Sequence, residues 1–345
     1  MHPKFPSFLT RFAVLWVAFL VFCGTVFAQD GAAASFFHYF DAAPGATSTA
    51  PAALDSAGQM AGFYTDSSNV YHGFLRKAGG HIVLIDPPGS VFTIARASTP
   101  SGVVSGYYAD SANHYHGFVR DGGKYVTFDV PGSSLTLPLA MNSQGQIAGF
   151  YMAQNVTHGF VRIIDGTLLT FDACGGTTTI PTSINVTGTV AGYFTDSNKI
   201  QYGFVRNARG VCHKIDPSGA AGGTIPTAMN DAGDIVGIYL DAAKVQHSFL
   251  RRVGGALFTI DPPGSTGTTA VSIGPDGIAV GYYYLGTTDL HGFLRKTDGT
   301  YVSLDVPGAL NTVPSAINKV GNFDLVVGNE SMLAGPYRGF FVRYP

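Results

Sequence analysis

His72-Gly-Phe-Leu-Arg76, His116-Gly-Phe-Val-Arg120, His158-Gly-Phe-Val-Arg162, His247-Ser-Phe-Leu-Arg251 and His291-Gly-Phe-Leu-Arg295 are one phrase written five times. Tyr202-Gly-Phe and Arg338-Gly-Phe fill two further slots, so the 345-residue chain holds seven copies spaced 42 to 47 residues apart. A period in that range is one four-stranded propeller blade per repeat.

Other landmarks keep the same beat on either side of the phrase. Asp-x-Pro-Gly-like turns begin at Asp41, Asp86, Asp129, Asp172, Asp216, Asp261 and Asp305. A threonine follows each, at Thr49, Thr93, Thr136, Thr179, Thr224, Thr268 and Thr312, and then a turn glycine at Gly58, Gly102, Gly145, Gly188, Gly233, Gly277 and Gly321. Each unit reads as four short strands. In the fifth unit, strand a is Thr224–Asn230, strand b Asp234–Tyr239, strand c His247–Arg251 and strand d Ala256–Asp261. Proline at Pro51, Pro138, Pro181, Pro226 and Pro314 cannot donate to a ladder, so strand a belongs on an edge, here the innermost one.

Strand b carries neighbouring aromatics, Phe63-Tyr64, Tyr107-Tyr108, Phe150-Tyr151, Tyr193-Phe194 and Tyr282-Tyr283. Neighbours on a strand point to opposite faces, so both faces are expected to be buried between blades. The chain opens on a strand-d pattern, Ser35–Asp41, and closes on a strand-c pattern, Gly339–Arg343. Each end supplies what the other lacks, which removes a free edge if the sheets form a ring. The expectation is an all-β, seven-bladed β-propeller of four-stranded blades, closed by the N-terminal strand completing the last blade.

Lys4 and Arg11, the apolar run Phe12–Phe22 and Val26-Phe-Ala28 before Gln29 form the pattern of a signal peptide, giving a leader over 1–28 and one propeller domain over 29–345. A lipoprotein reading would use Cys23, but Phe22 fits that site poorly. The apolar run is short for a span, so no membrane segment is expected after cleavage. Losing Lys4 and Arg11 takes the formal net charge from −2 to −4. No basic stripe exists to neutralise phosphates, which argues against nucleic acid as a partner. Charged residues make up 12% of the chain, about half the usual ~25%, leaving a surface of Ser, Thr, Asn, Gly and Tyr that suits a secreted monomeric binding protein.

Cys174 and Cys212 would meet in an oxidising compartment, and the sequence leaves open whether they pair. His72 recurs with Asp86, His116 with Asp129, His158 with Asp172, His247 with Asp261 and His291 with Asp305. Antiparallel strands c and d would set the two side by side. Such pairs could be acid-base dyads. Five copies spread around one molecule cannot serve one substrate, so a structural clasp is the better reading. Segments such as Asp66–Asn69, Asp110–Asn113 and Asp196–Asn198 suggest calcium ligands at first sight. They lack the dense acids of a calcium loop, and Asp and Asn cap turns locally. No metal or cofactor is expected. The threonines could line a central channel or satisfy nearby backbone.

No Gly-x-Ser-x-Gly, His-Glu-x-x-His or phosphate loop occurs. Glu330 is the only glutamate, and the only tryptophan, Trp16, lies in the leader. The seventh repeat breaks the pattern. Six residues separate Gly321 from Gly328 where other repeats have three, and Asn329-Glu330 replaces the aromatic pair. Asp324, Glu330 and Arg338 bring charge there, making this repeat a candidate site, with the looser rules of a terminal repeat as the plainer account.

Ala228–Gly237 followed by His247-Ser-Phe-Leu-Arg251, with their equivalents, resembles the HAF-type extracellular repeat of exported bacterial proteins. The resemblance spans essentially all of the expected mature chain, with His-Gly-Phe in place of the usual His-Ala-Phe. It implies export and a repeat architecture, and carries over no catalytic residue. The expected function is a secreted or periplasmic module binding a ligand, glycan or protein on the face made by the d–a and b–c loops. The alternative is an enzyme acting on extracellular polysaccharide in the central funnel, with Glu330 or Asp324 as acid or base.

Overall fold

The computed structural model describes residues 37–286, 289–332 and 337–345. The leader reading, with Lys4, Arg11, Trp16 and Cys23, lies outside them. The fold is all-β and propeller-like. A short strand β1 (Phe37–Phe40) precedes the first repeat, β2 (Ser48–Leu54), β3 (Met60–Thr65), β4 (Tyr71–Arg76) and β5 (Ile82–Ile85). The second repeat is β6 (Phe92–Ser98), β7 (Val104–Ala109), β8 (Tyr115–Asp121) and β9 (Lys124–Phe128). The third is β10 (Leu135–Met141), β11 (Ile147–Ala153), β12 (Val156–Arg162) and β13 (Leu168–Phe171), followed by a 3-10 turn at Ala173–Gly175. The fourth is β14 (Thr178–Ile184), β15 (Val190–Thr195), β16 (Gln201–Arg206) and β17 (Cys212–Ile215). The fifth is β18 (Thr224–Met229), β19 (Ile235–Leu240), β20 (Gln246–Arg251) and β21 (Leu257–Ile260). The sixth is β22 (Gly267–Ile273), β23 (Ala279–Tyr284), β24 (Leu290–Arg295) and β25 (Tyr301–Ser303). The chain ends with β26 (Asn311–Val320), β27 (Phe323–Ser331) and β28 (Arg338–Tyr344).

Within each repeat the strands pair antiparallel in chain order, and β1 pairs with β28 from Phe37↔Val342 to Phe40↔Gly339. The a strands neighbour one another in succession from β2 to β26, and β26 in turn neighbours β2. Asn318 Nδ2, in the last repeat, donates to the Leu54 carbonyl of the first at 3.0 Å. The Asn-x-x-Gly turns make the same reach elsewhere, Asn142 Nδ2 to Asn185 O at 2.8 Å and Asn230 Nδ2 to Gly274 O at 3.0 Å. The a–b side of the molecule is thus stitched turn to turn by its own side chains.

A bulge recurs on every inner strand. The a–b register slips by one residue at Pro51, Pro138, Pro181, Pro226 and Pro314, and equally at Ala95 and Ala270, so the bulge belongs to the repeat and proline is tolerated there because no ladder N–H is required of it. The glycine opposite has no room for a side chain, since a Cβ on Gly62 would lie 2.3 Å from Ala50 O.

Between repeats, the phenylalanine of every copy of the phrase (Phe74, Phe118, Phe160, Phe204, Phe249, Phe293 and Phe340) is buried. Leu75 and Ile85 of one repeat pack with Ala95, Val104 and Phe118 of the next. The glycine of the phrase admits the next inner strand, as a Cβ on Gly73 would meet Ile85 O at 2.7 Å and Thr93 Cγ2 at 3.2 Å. Ser248 takes that slot once and uses its hydroxyl, Oγ accepting from Ala270 N–H at 2.7 Å.

One expectation needs correction. The strand-b aromatics are not uniformly buried. Tyr64, Tyr108, Phe150, Tyr193 and Phe194 are, whereas Phe63, Tyr107, Tyr151, Tyr282 and Tyr283 keep partial exposure. Of the two readings of the threonines the structure favours the backbone one: they are buried, and in four repeats Oγ1 accepts from the d–a loop, from Ala42, Val130, Ala173 and Val306 N–H at 2.8–3.1 Å.

Candidate functional site

The repeating candidates gather on the d–a and b–c side. In five repeats the c strand carries its histidine there and the aspartate follows the end of the d strand, because the pair ahead of it, such as Gly73↔Ile85, sets the next residues in line. His72 Nδ1 donates to Asp86 at 2.9 Å, His116 to Asp129 at 2.8 Å, His158 to Asp172 at 2.7 Å, His247 to Asp261 at 2.7 Å and His291 to Asp305 at 3.1 Å. The imidazoles pack on strand-b tyrosines, His72 on Tyr64 with centroids 5.1 Å apart and His247 on Tyr239 at 5.2 Å.

Three of these rings sit between two carboxylates. Nε2 faces Asp66 at 3.7 Å in His72, Asp110 at 3.5 Å in His116 and Asp241 at 3.4 Å in His247. Burial pulls the His116 and His247 pKa values down, but the flanking aspartates outweigh it and leave both above the ordinary value. His291 is raised chiefly by its hydrogen bond to Asp305. Each pair is complete in itself and repeated, so the set fastens strand d to strand c.

The b–c aspartates also serve their own turns. Asp66 Oδ1 accepts from Ser68 and Val70 N–H at 2.8 and 2.9 Å, and Asp110 and Asp196 do the same in their repeats. Oδ1 is spent on backbone in each, as in a local turn cap, while Oδ2 of Asp66 and Asp110 faces its histidine.

The charged residues of the last repeat do not converge. Glu330 and Asp324 lie six residues apart on β27, roughly 20 Å along a strand. Glu330 Oε1 accepts from Arg338 Nε and Nη2 at 2.7 and 2.6 Å, while its other oxygen is buried without a partner. Asp324 sits on the a–b side, where Lys319 Nζ bridges it and Asp276 at 3.2 and 3.3 Å. Burial, then Asp276, raise the Asp324 pKa. These two carboxylates cannot flank one bond. Cys174 and Cys212 form a disulfide with Cα atoms 5.4 Å apart, tying the loop after β13 to the outer strand of the next repeat.

An asymmetric cluster on the d–a and b–c side escaped the motif reading. Phe63 lies 5.7 Å from Tyr71, Tyr71 5.1 Å from Phe92, and Phe92 6.3 Å from Tyr107 and 6.1 Å from Tyr115. Phe63, Tyr71 and Tyr107 keep partial exposure. The slots of Tyr71 and Tyr115 hold Thr157, Gln201, Gln246 and Leu290 in the next four repeats and Tyr337 in the last, and those of Phe92 hold Leu135 and Thr178. Beside this cluster stands Arg96, the bulge residue of β6 between Ala95↔Gly106 and Ala97↔Ser105. Its slot is neutral in every other repeat (Ala52, Leu139, Thr182, Thr227, Val271 and Ser315). Superposing the repeats in register is the signal that would have found it.

In sequence, the chain matches no family model and no curated protein. In structure it is similar to virginiamycin B lyase from Staphylococcus aureus, with a TM-score of 0.59 at 11% identity over 89% of this chain and 98% of that one. It is also similar to the β-propeller domain of the Trilobed protease from Pyrococcus furiosus, with a TM-score of 0.59 at 11% identity over 85% and 95% of the two chains. A third likeness is the Cps50 (Swd1) β-propeller domain of Myceliophteria thermophila, with a TM-score of 0.53 at 11% identity over 88% and 98%. At such identities the likeness establishes one thing, a β-propeller fold.

Proposed function

We propose that this chain is an exported binding module, a seven-bladed β-propeller whose last blade is completed by β1 and which holds its ligand on the d–a and b–c face. The pairing of β1 with β28 and the contact of β26 with β2 support the ring. The leader pattern ending at Ala28 supports export as a monomer to the periplasm or medium, and the repeat phrase supports membership of the HAF-type repeat class.

The observation that carries the binding reading is the aromatic cluster of Phe63, Tyr71, Phe92, Tyr107 and Tyr115. The phrase recurs in every repeat, yet only between the first two does a ring, Phe92, join the tyrosines ahead of it, and the patch stays partly open. Aromatic rings with a polar tip suit a surface that is dry on one side and wet on the other. The a–b face is occupied by its own turn-to-turn bonds, which leaves the opposite face for recognition.

Residues 29–345 melted against panels of oligosaccharides and peptides test the reading, since a ligand at 100 times its dissociation constant adds about 2.7 kcal/mol. A shift lost in Tyr71→Ala and Tyr107→Ala supports it. A shift that both variants retain in full moves the site elsewhere.

A further inference from the structure

We propose that Arg96 is an anion-binding residue inside the central opening, and that the ligand it receives is an acidic oligosaccharide whose carboxylate meets the guanidinium while a sugar ring packs on Tyr71 and Tyr107. This rests on the binding-face reading and names its ligand class.

Arg96 stands partly exposed and unpartnered among the described residues. Among the described residues it takes part in no ion pair and donates no hydrogen bond, and its Nε is buried without an acceptor. Arg120 and Arg162 also bury an unpaired Nε, but their guanidiniums lie over the rings of Tyr125 and Phe128, which accounts for them. Nothing accounts for Arg96 in that way. Arg96 keeps partial exposure and only its Nε is buried, so what is left unmet is one donor in an otherwise neutral row of inner-strand residues, which an anion reaching the guanidinium would satisfy.

Its position follows from the fold. The residues in the same bulge slot of neighbouring repeats touch the adjacent inner strands, Thr182 Oγ1 donating to Pro226 O at 2.8 Å and Thr227 Oγ1 to Ala270 O at 2.7 Å. That sets the slot where successive inner strands meet, next to the axis. Arg96 lies four residues below Phe92, roughly 13 Å down the strand from the d–a and b–c mouth. Its charge reaches the Tyr107 hydroxyl, whose pKa burial raises and Arg96 lowers.

The carboxylate and the sugar are argued separately. A guanidinium offers a planar fork of donors that matches a carboxylate in two parallel bonds. The hydroxyls of Tyr71 and Tyr107 make no hydrogen bond to any described residue, and both rings keep partial exposure beside those free donors. A pyranose, apolar on its ring faces and hydroxylated at its rim, satisfies both. Inorganic anions satisfy only the guanidinium.

The test is calorimetric titration of residues 29–345 with oligogalacturonate, with the same oligomer as its methyl ester, and with inorganic phosphate at matched ionic strength. The expected result is tighter binding of the acid than of the ester by roughly ten- to a hundredfold, the worth of one charge-assisted hydrogen-bonded pair. Arg96→Gln should erase that difference while leaving ester binding and the melting temperature in place, and Arg96→Lys should keep part of it. Equal binding of acid and ester, reduced alike by Tyr107→Ala, overturns the role of Arg96 and leaves the binding face standing. Phosphate binding as tight as the uronate overturns the sugar assignment. If neither oligomer binds, the proposal fails, and the peptide and neutral-sugar melts decide separately whether the face binds anything.

Discussion

Glu330 and Arg338 face each other across β27 and β28 in the slot where six other repeats set Tyr64 on His72, Tyr108 on His116, Tyr151 on His158, Phe194 on Tyr202, Tyr239 on His247 and Tyr283 on His291. An ion pair has replaced a stacked pair of rings. Glu330 is fully buried, and Arg338 also lies 4.9 Å over the ring of Tyr39, so the substitution is tied into β1. Glu330→Gln should destabilise the fold by about 2–4 kcal/mol, because it leaves the guanidinium without its counter-charge. Glu330→Tyr combined with Arg338→His restores the arrangement of the other repeats and should recover most of that loss. Urea denaturation of the singles and the double checks this, and strict additivity would contradict it.

Acidity should act on the d–a and b–c face from two sides. His116, His247 and His291 titrate above their ordinary value when folded, so their contribution is fully present below about pH 6.5 and fades as pH rises through the folded pKa values. Asp110 and Asp241 are held low, first by backbone N–H bonds from His114 and Val245, so their contribution is present above about pH 4 and fades as pH falls through the folded values. Stability against urea should peak between those limits. His116→Gln with His247→Gln should flatten the alkaline limb, and an unchanged limb would contradict the clasp.

The Cys174–Cys212 bond closes a loop across 38 positions. Restricting the unfolded chain over that length is worth about 3–4 kcal/mol. Cys174→Ser with Cys212→Ser should lower the unfolding free energy from urea denaturation by that amount, and reductant should then have no further effect.

The glycine of the repeated phrase is a packing requirement. Gly73→Ala should cost about 1–3 kcal/mol, since its Cβ meets the backbone at Ile85 and the next inner strand at Thr93. Ser248→Gly should cost about 1–2 kcal/mol for the opposite reason, as Ala270 N–H loses its acceptor. Melting curves of the two variants separate crowding from an unmet donor.

The repeat made the strands, their order and the His–Asp contacts legible, because pairing in an antiparallel hairpin depends only on counting outward from the turn. His72 and Asp86 stand one step beyond Gly73↔Ile85, and nothing tertiary intervenes. Burial was harder to read. Whether Tyr107 or Phe150 keeps contact with water depends on what the next repeat sets against it, which alternation along one strand does not encode. Arg96 was hidden by a bulge, since a residue slipped out of the ladder follows neither face of the pattern. The threonines were ambiguous for a like reason, their hydroxyl finding a partner in a loop that carries no period of its own.

β1 contributes only four residues, yet it lays Phe37 against Phe340 and His38 against Phe341, and Arg76 of the first repeat stacks on Phe40 and Phe341 together. The same four residues, in the same register, are present in every other copy of the chain. At high concentration a neighbour's segment offers β28 the same partners, so exchange of first strands between molecules is the hazard that such a closure carries.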